Sequence, residues 1–506
     1  MNVLLAVRMY IGKMIQDSGP GMKVLLMDRE TIGIISMAYA QSEILQKEVY
    51  LFEQIDKSSQ GASMKHMKCV VFLRPTQENV HLLSSELKSP RYGVYYIYFS
   101  GIISKAAIKV LAESDEHESV REIQEFYADF FAVGSHLFSL NLERPIHGME
   151  WNQSSLQRTI QGVTGLLLSL KKSPLIRYQS FSPVARRLAE ALRDTMLKES
   201  SLFHFQRGDS VPLLLILDRR CDPITPLLNQ WTYQAMVHEM LTIKNNRVSL
   251  AGVPGAPKEM TEVLLSAEQD EFYASNMYLN FGDIGQSMKA LTDEFQAKAK
   301  SHQKVESISD MKAFVENYPQ FKKMSGTVTK HVTLVSELSR LVTQHNLLEV
   351  SEAEQELACQ EEHSQSLQKL RRLLSSDQIR DFDCARLVLL YAIRYNKHSN
   401  NDLIGLVESL RRRGTPDHLI ESVDLILRYS NTGESSSSGI LTTKDVTKIT
   451  DKIFKGLKGI ENVFTQHSPV LKHIMDNLFK GRLPEDAYPA VGGESMPSSR
   501  FEHFSF

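Results

Sequence analysis

The chain has 506 residues, too many for one hydrophobic core, and is expected to fold as two or three domains. Its 58 Lys and Arg stand against 60 Asp and Glu, a formal charge of -2, so it lacks the global bias that would draw it to nucleic acid or an anionic membrane. The four cysteines, Cys69, Cys221, Cys359 and Cys384, form no CxxC pair, which excludes a zinc knuckle or disulfide framework and suits a reducing compartment.

In chain order, MNVLLAVRMYIGKMIQDSG places Arg8 and Lys13 at helical spacing among apolar residues, predicting an amphipathic helix rather than a signal peptide. From Lys23 short apolar runs, KVLLMD, GIISM, CVVFLRP and YGVYYIYFSG, alternate with segments such as QENVHLLSSELKS, as buried parallel strands with crossover helices would. A second α/β region is predicted from AVGSHLFSLN, through the helices TIQGVTGLLLSLKK and VARRLAEALRDTMLKE, to the strand VPLLLILD. From Trp231 to about Tyr429 helical spacing dominates. NTGESSSSG at 431–439 predicts a loop, helical character resumes at Thr443, and periodicity is lost in the Pro-, Gly- and Ser-rich end. No apolar stretch approaches the roughly twenty residues needed to span a bilayer, so membrane association is expected only through partners.

Asp218 ends the strand VPLLLILD, where open α/β sheets place ligand crevices, so a strand-end phosphotransferase or hydrolase is one reading. A dehalogenase-type phosphatase needs its two aspartates two residues apart, whereas Asp218 and Asp222 are four apart. Asp222 before Pro223, with Thr225 and Pro226 following, reads instead as helix-capping chemistry, and Arg219 and Arg220 as partners for either carboxylate at a strand-to-helix joint. The zincin start His238-Glu239 lacks its second histidine, the GPG at 19–21 lacks the context of a phosphate loop, and no GxSxG is present. No catalytic residue, metal site or cofactor is predicted.

The stretch LLLILDRRCDPITPLLNQWTYQAMVHEML, 213–241, closely resembles a signature of the Sec-one/Munc-eighteen-like (SM) family, with Asp218, Arg219, Asp222, Thr225, Pro226, Tyr233 and Gln234 at its positions. GMKVLLMDRETIGIISM, FLRPTQENV, SISDMKAFVENYPQFKKMSGTVTKHVTLVSELSRLV (307–342) and GIENVFTQHSPVLKHIMDNLFKGRLPEDAYP (459–489) resemble further parts of it, and the nearest branch is the endosomal vacuolar-protein-sorting one. The resemblance implies an α/β plus α fold, an arch of two α/β domains with mainly parallel sheets and a large, mainly helical inserted domain. Domain 1 would span 1–131, domain 2 would combine 132–230 with 455–506, and domain 3 would be 231–454. Past the YP of the last motif the family continues into another strand and helix, and AVGGESMPSSRFEHFSF holds nothing similar, so domain 2 is expected to lack part of its sheet.

The resemblance further implies binding without catalysis. The expected partners are an endosomal or trans-Golgi syntaxin of the syntaxin-sixteen type and its cognate vesicle SNAREs, met by a monomer at the cytoplasmic face of Golgi and endosomal membranes. The segment EFYADFFAVGSHLFSL resembles the region that holds a syntaxin N-terminal peptide, with Phe130, Phe131, Val133 and Leu137 as its candidates. Val328, Val332, Val335, Leu338 and Val342 recur at intervals of four, three, three and four, an apolar stripe on one helix. The resemblance makes that stripe the arm of a SNARE-templating hairpin, with Val332 at the vesicle-SNARE contact and Pro319 at the bend, where it is expected to interrupt the helix.

Overall fold

The structure, a computed structural model, describes residues 2–57, 63–148, 150–205, 211–303, 308–359, 362–431 and 466–493. The predicted loop at 431–439, but for its first residue, and the helical character predicted from Thr443 to residue 465 lie outside them. The chain divides into two compact units, Met1–Asp218 with a C-terminal segment beginning at Pro484, and Arg219–Leu483.

The first unit opens with α1 (Val3–Asp17), capped by the side chain of Asn2, and its buried face Val7, Ile11 and Met14 accounts for the apolar spacing of the N-terminus. Strands β1 (Lys23–Met27), β2 (Val49–Gln54), β3 (Met64–Leu73), β4 (Tyr92–Phe99) and β5 (Val120–Glu125) form one sheet in the order β2-β1-β3-β4-β5, every pair parallel. Period-two alternation sorts these strands between two cores. Leu25 and Met27 of β1 and Val70 and Phe72 of β3 join one cluster, which includes residues of α1 and of α2 (Arg29–Ala38), while Val24, Leu26, Cys69 and Val71 join the other. That second cluster includes residues of α4 (Gln77–Lys88) and α5 (Lys105–Ser114); the short α3 (Gln41–Leu45) packs on β2.

The run GIISM, expected as a strand, is the body of α2. Asp28 and Thr31 form a reciprocal capping box that starts a helix there, and local capping outweighs the β-branched composition. After β5 come the two-residue hairpins β6 (Phe131–Ala132) with β7 (Phe138–Ser139), and β8 (Ile146–His147) with β9 (Glu150–Trp151). The predicted helices are α6 (Gln153–Ser169) and α7 (Pro183–Lys198), the latter with Ser182 at its cap and Pro183 in its first turn. Between and after them β10 (Leu175–Tyr178) and β11 (Leu213–Ile216) pair in parallel, and Ala490 bridges antiparallel to Arg177. Residues 1–131 and 132–218 share packing: Leu166 of α6 lies in the α1 cluster, and Arg158 pairs with Asp129 at 3.0 Å.

The second unit is mainly helical: α8 (Tyr233–Leu241), α9 (Glu271–Asn276), α10 (Phe281–Gln303), α11 (Ile308–Gln344), α12 (Leu347–Cys359), α13 (His363–Leu374), α14 (Asp381–Tyr395), α15 (Leu403–Arg413), α16 (Asp417–Asn431) and α17 (Val470–Phe479). An antiparallel hairpin, β12 (Arg247–Ser249) with β13 (Glu262–Leu264), interrupts the predicted mainly helical stretch around a Gly- and Pro-rich turn. Among the described residues two apolar cores serve this unit. One gathers α8, β12, β13 and α9 to α11, and the other α12 to α16.

Candidate binding surfaces and the buried clamp

At the end of β11, Asp218 is buried and already occupied. The Ser182 hydroxyl donates to its carboxylate at 2.5 Å while accepting the Ala185 amide at 3.0 Å, and the Asp218 amide donates to the Gln179 side chain at 2.5 Å. The carboxylate thus orients the hydroxyl that caps α7, a structural duty rather than a nucleophile's. Arg219 is exposed and makes no ion pair among the described residues, so the expected pairing of its guanidinium with a motif carboxylate is corrected. The Ser182 hydroxyl meets the Asp218 carboxylate, and the Thr225 amide and hydroxyl meet that of Asp222.

Asp222 is a cap in two directions. It accepts the Thr225 amide at 3.1 Å and hydroxyl at 2.6 Å, starting the short turn Thr225–Leu227 that contains the exposed Pro226. It also accepts the Val470 amide at 3.1 Å, supplying the N-terminus of α17 with an acceptor that its own cap residue, Pro469, lacks. His467 meets the Thr225 hydroxyl at 2.9 Å, and the His467 amide donates to Gln355 on α12. Farther on, Asn229 donates its amide and side chain to Glu354 at 2.8 and 2.9 Å, and the Trp231 indole donates to Ser351 at 2.7 Å. The segment 222–231 is therefore clamped to α12 and to the start of α17 by polar groups.

Behind Glu354 the carboxylates outnumber the cations. Arg386 donates to Glu354, Asp383 and Glu239, and Arg380 pairs with Asp383, so two guanidiniums serve three carboxylates. Burial raises the Glu354 carboxyl to about 7 against the pull of Arg386, and the charges of Asp383 and Glu239 add to the rise.

The hairpin of the second unit is made by α10 and α11, with Phe295 and Phe321 stacked at 5.2 Å. Pro319 lies exposed inside α11, which continues through it, so the bend expected at Pro319 is instead a helix interior. Its missing amide removes a single hydrogen bond, which the helix accommodates over its 37 residues. The predicted stripe divides. Leu338 is 0% exposed and sits in the core with Leu334, and Val335 and Val342 pack against that core. Val328 is half-buried and Val332 is 41% exposed.

His331, beside Val332, carries no sequence signal, because it is a lone histidine in an apolar stripe. Its ring is 0% exposed, with Nε2 2.8 Å from the Asp270 carboxylate and Nδ1 2.8 Å from the Tyr233 hydroxyl. Lys330 pairs with the same Asp270 oxygen and donates to the Leu264 carbonyl at 3.1 Å. Burial lowers the His331 imidazole against the attraction of Asp270. Burial opposes ionisation of Asp270, yet the His331 and Lys330 hydrogen bonds hold it well below the usual carboxylate range.

In the first unit, the peptide-pocket candidates also divide. Phe130 is 0% exposed and Phe131 is buried, with Phe131 so close to α2 that a Cβ on Gly33 would stand 2.6 Å from its ring. Both belong to the core rather than to a surface pocket, which corrects the expectation for them. Val133 packs partly against that core, and Leu137, in the β6–β7 turn, is 55% exposed. Among the described residues no group of three or more His, Cys, Asp or Glu could hold a metal ion, and no helix is long and apolar enough to cross a membrane.

The five-stranded parallel sheet and the long helical hairpin stand within a chain that one family model matches almost throughout. The Sec1 family matches residues 23–501, and this chain belongs to that family. It is 58% identical over 497 residues to vacuolar protein sorting-associated protein 45 of Homo sapiens, covering 98% of this chain and 87% of the human protein. Among solved structures it is similar to the SM protein Vps45 in complex with the Qa SNARE Tlg2, at 45% identity and a TM-score of 0.90 over 97% of this chain and 88% of that one. The fold, α/β with a large helical part, is also that of the Unc18–syntaxin 1 complex from Monosiga brevicollis, at a TM-score of 0.78 and 20% identity over 97% of this chain and 89% of that one.

Proposed function

We propose that this chain is a SNARE-binding chaperone of vesicle docking and fusion on the endosomal, trans-Golgi and vacuolar route. It binds a syntaxin of the syntaxin-sixteen type and templates its assembly with cognate vesicle SNAREs. The observation that carries this reading is the near full-length similarity to Vps45 solved with the Qa SNARE Tlg2. The chain acts by binding, without catalysis and without a cofactor, as a monomer that reaches Golgi and endosomal membranes from the cytoplasm through its partners. Vesicle SNAREs meet α11 at Val328 and Val332, flanked by Val335, Leu338 and Val342 as the packed base of that face. A syntaxin N-terminal peptide meets the β6–β7 turn at Leu137 and Val133. The motif from Asp218 to Pro226 marks the passage from domain 2 to domain 3, and the division of the chain between Asp218 and Arg219 supports that role.

The test is binding of the purified chain to the cytosolic region of an endosomal Qa syntaxin, with a plasma-membrane syntaxin as control. Stable co-elution with the endosomal protein alone is expected. No complex with it, or equal binding to both, overturns the reading.

A further inference from the structure

The motif tyrosine Tyr233 lies on α8, far in sequence from the hairpin, yet its hydroxyl reaches α11 through the buried ring of His331. Around that ring stand Phe272 at 4.7 Å and Tyr273 at 6.5 Å, the latter stacked within 13°. Asp270, on the far side of the imidazole, also caps α9 through the Tyr273 amide at 2.9 Å. One histidine is thus gripped from two elements, with hydrogen bonds at both nitrogens. With Nε2 donating to Asp270 and Nδ1 accepting from Tyr233, a neutral ring satisfies both partners.

Leu334 and Leu338 hold the same helix to the same core, but apolar packing is non-directional and tolerates rotation or slippage of a helix in its groove. Hydrogen bonds are directional, and a single polar residue in an apolar seam selects one register at some cost in stability. Successive residues stand about 100° apart around an α-helix, since a turn takes about 3.6 of them. Fixing His331 inward therefore fixes Val332 at the side of the helix, at 41% exposure.

We propose that the Tyr233–His331–Asp270 chain is the positioning element of the hairpin, setting the rotation of α11 so that Val332 faces the partner helix. The inference rests on the reading of Val332 as a SNARE contact. His331 touches no partner; it acts through its neighbour.

The experiment measures affinity of the full chain for the SNARE-motif segment of an endosomal vesicle SNARE, and separately for the cytosolic region of an endosomal Qa syntaxin. His331→Phe keeps a ring and removes both hydrogen bonds, His331→Gln keeps a donor for Asp270, and Val332→Asp blocks the contact itself. His331→Phe is expected to weaken the vesicle-SNARE segment about tenfold, and His331→Gln to restore most of that loss. Binding through the syntaxin N-terminal region should not change. In the Val332→Asp background His331→Phe should cost little more, because both act on one contact. Should His331→Phe fail to fold, Tyr233→Phe, which removes one hydroxyl, carries the same comparison. If Val332→Asp weakens binding but neither His331→Phe nor Tyr233→Phe does, or if their losses add in full to that of Val332→Asp, positioning by His331 is overturned alone. If Val332→Asp binds the segment like the parent, the SNARE-contact reading falls and this inference with it.

Discussion

The clamp at 222–231 and the α11 face at 328–342 use their side chains in opposite ways. In the clamp, polar groups that ordinarily favour water are turned inward and matched: Asp222 to Thr225 and Val470, Asn229 to Glu354, Trp231 to Ser351. On α11, a valine that ordinarily favours the interior is kept outside, while the neighbouring histidine is taken in. On the proposed reading, burial of polar groups serves the scaffold, and exposure of an apolar one beside an inward-held histidine serves recognition. The difference lies in which residues sit against their preference, and each kind predicts a different failure on mutation.

The largest effect is expected in the clamp. Glu354→Ala leaves the Asn229 amide and side chain without their acceptor and opens a cavity, at a cost of about 4 kcal/mol by denaturant unfolding. A loss below about 1 kcal/mol would remove the contrast, because the clamp would then hold nothing. Next comes α11, where Leu338→Ala should cost about 3 kcal/mol while Val332→Ala stays within about 0.5 kcal/mol. Equal losses would mean that the two residues do not belong to different faces.

A pH series sharpens the same comparison. Because the Glu354 carboxyl binds its proton more tightly in the folded chain than at its ordinary value of 4.5, its contribution is complete below about 4.5 and is lost as pH rises through about 7. Unfolding free energies measured between about pH 5 and pH 8 should decline with pH, and the decline should be shallower in Glu354→Gln. Identical slopes in the two proteins would place the titration elsewhere. The smallest effect belongs to Arg219→Ala, within about 0.5 kcal/mol, because the exposed guanidinium pairs with neither motif aspartate among the described residues. A drop in melting temperature of many degrees would restore the ion-pair reading.

Elements whose signal is local were legible. The amphipathic spacing of α1, the apolar runs of β1, β3, β4 and the half-buried β11, and the Ser182-Pro183 start of α7 all carry their reason within a few residues. Strand β2 was not legible because Tyr50, Leu51 and Phe52 are exposed on a sheet edge, where alternation does not mark burial. GIISM was composed like a strand but capped like a helix, and the cap prevailed. Pro319 argues for a break from sequence alone, whereas one lost hydrogen bond is small beside the rest of a long packed helix. The partners of the motif were hidden by distance along the chain. Yet α12 carried a trace of them: Ser351, Glu354 and Gln355 are polar residues spaced as core positions between Val350, Ala353 and Leu357. At the two proposed binding surfaces, the sequence could not separate Phe130 and Leu338, inside, from Leu137 and Val332, outside.

The Asp222 cap on α17 also imposes an order of events during biosynthesis. Its two ends are 248 residues apart, so at about 5–20 residues per second the aspartate emerges from the ribosome roughly 12 to 50 s before the Val470 amide that it must meet. Throughout that interval the strand-to-helix turn can form its short-range bond to Thr225 but not its long-range one, and contacts of such high sequence separation are the slow ones in folding. The contact of the clamp with α17 is therefore the last to become available, after every helix from α8 to α16 has been synthesised.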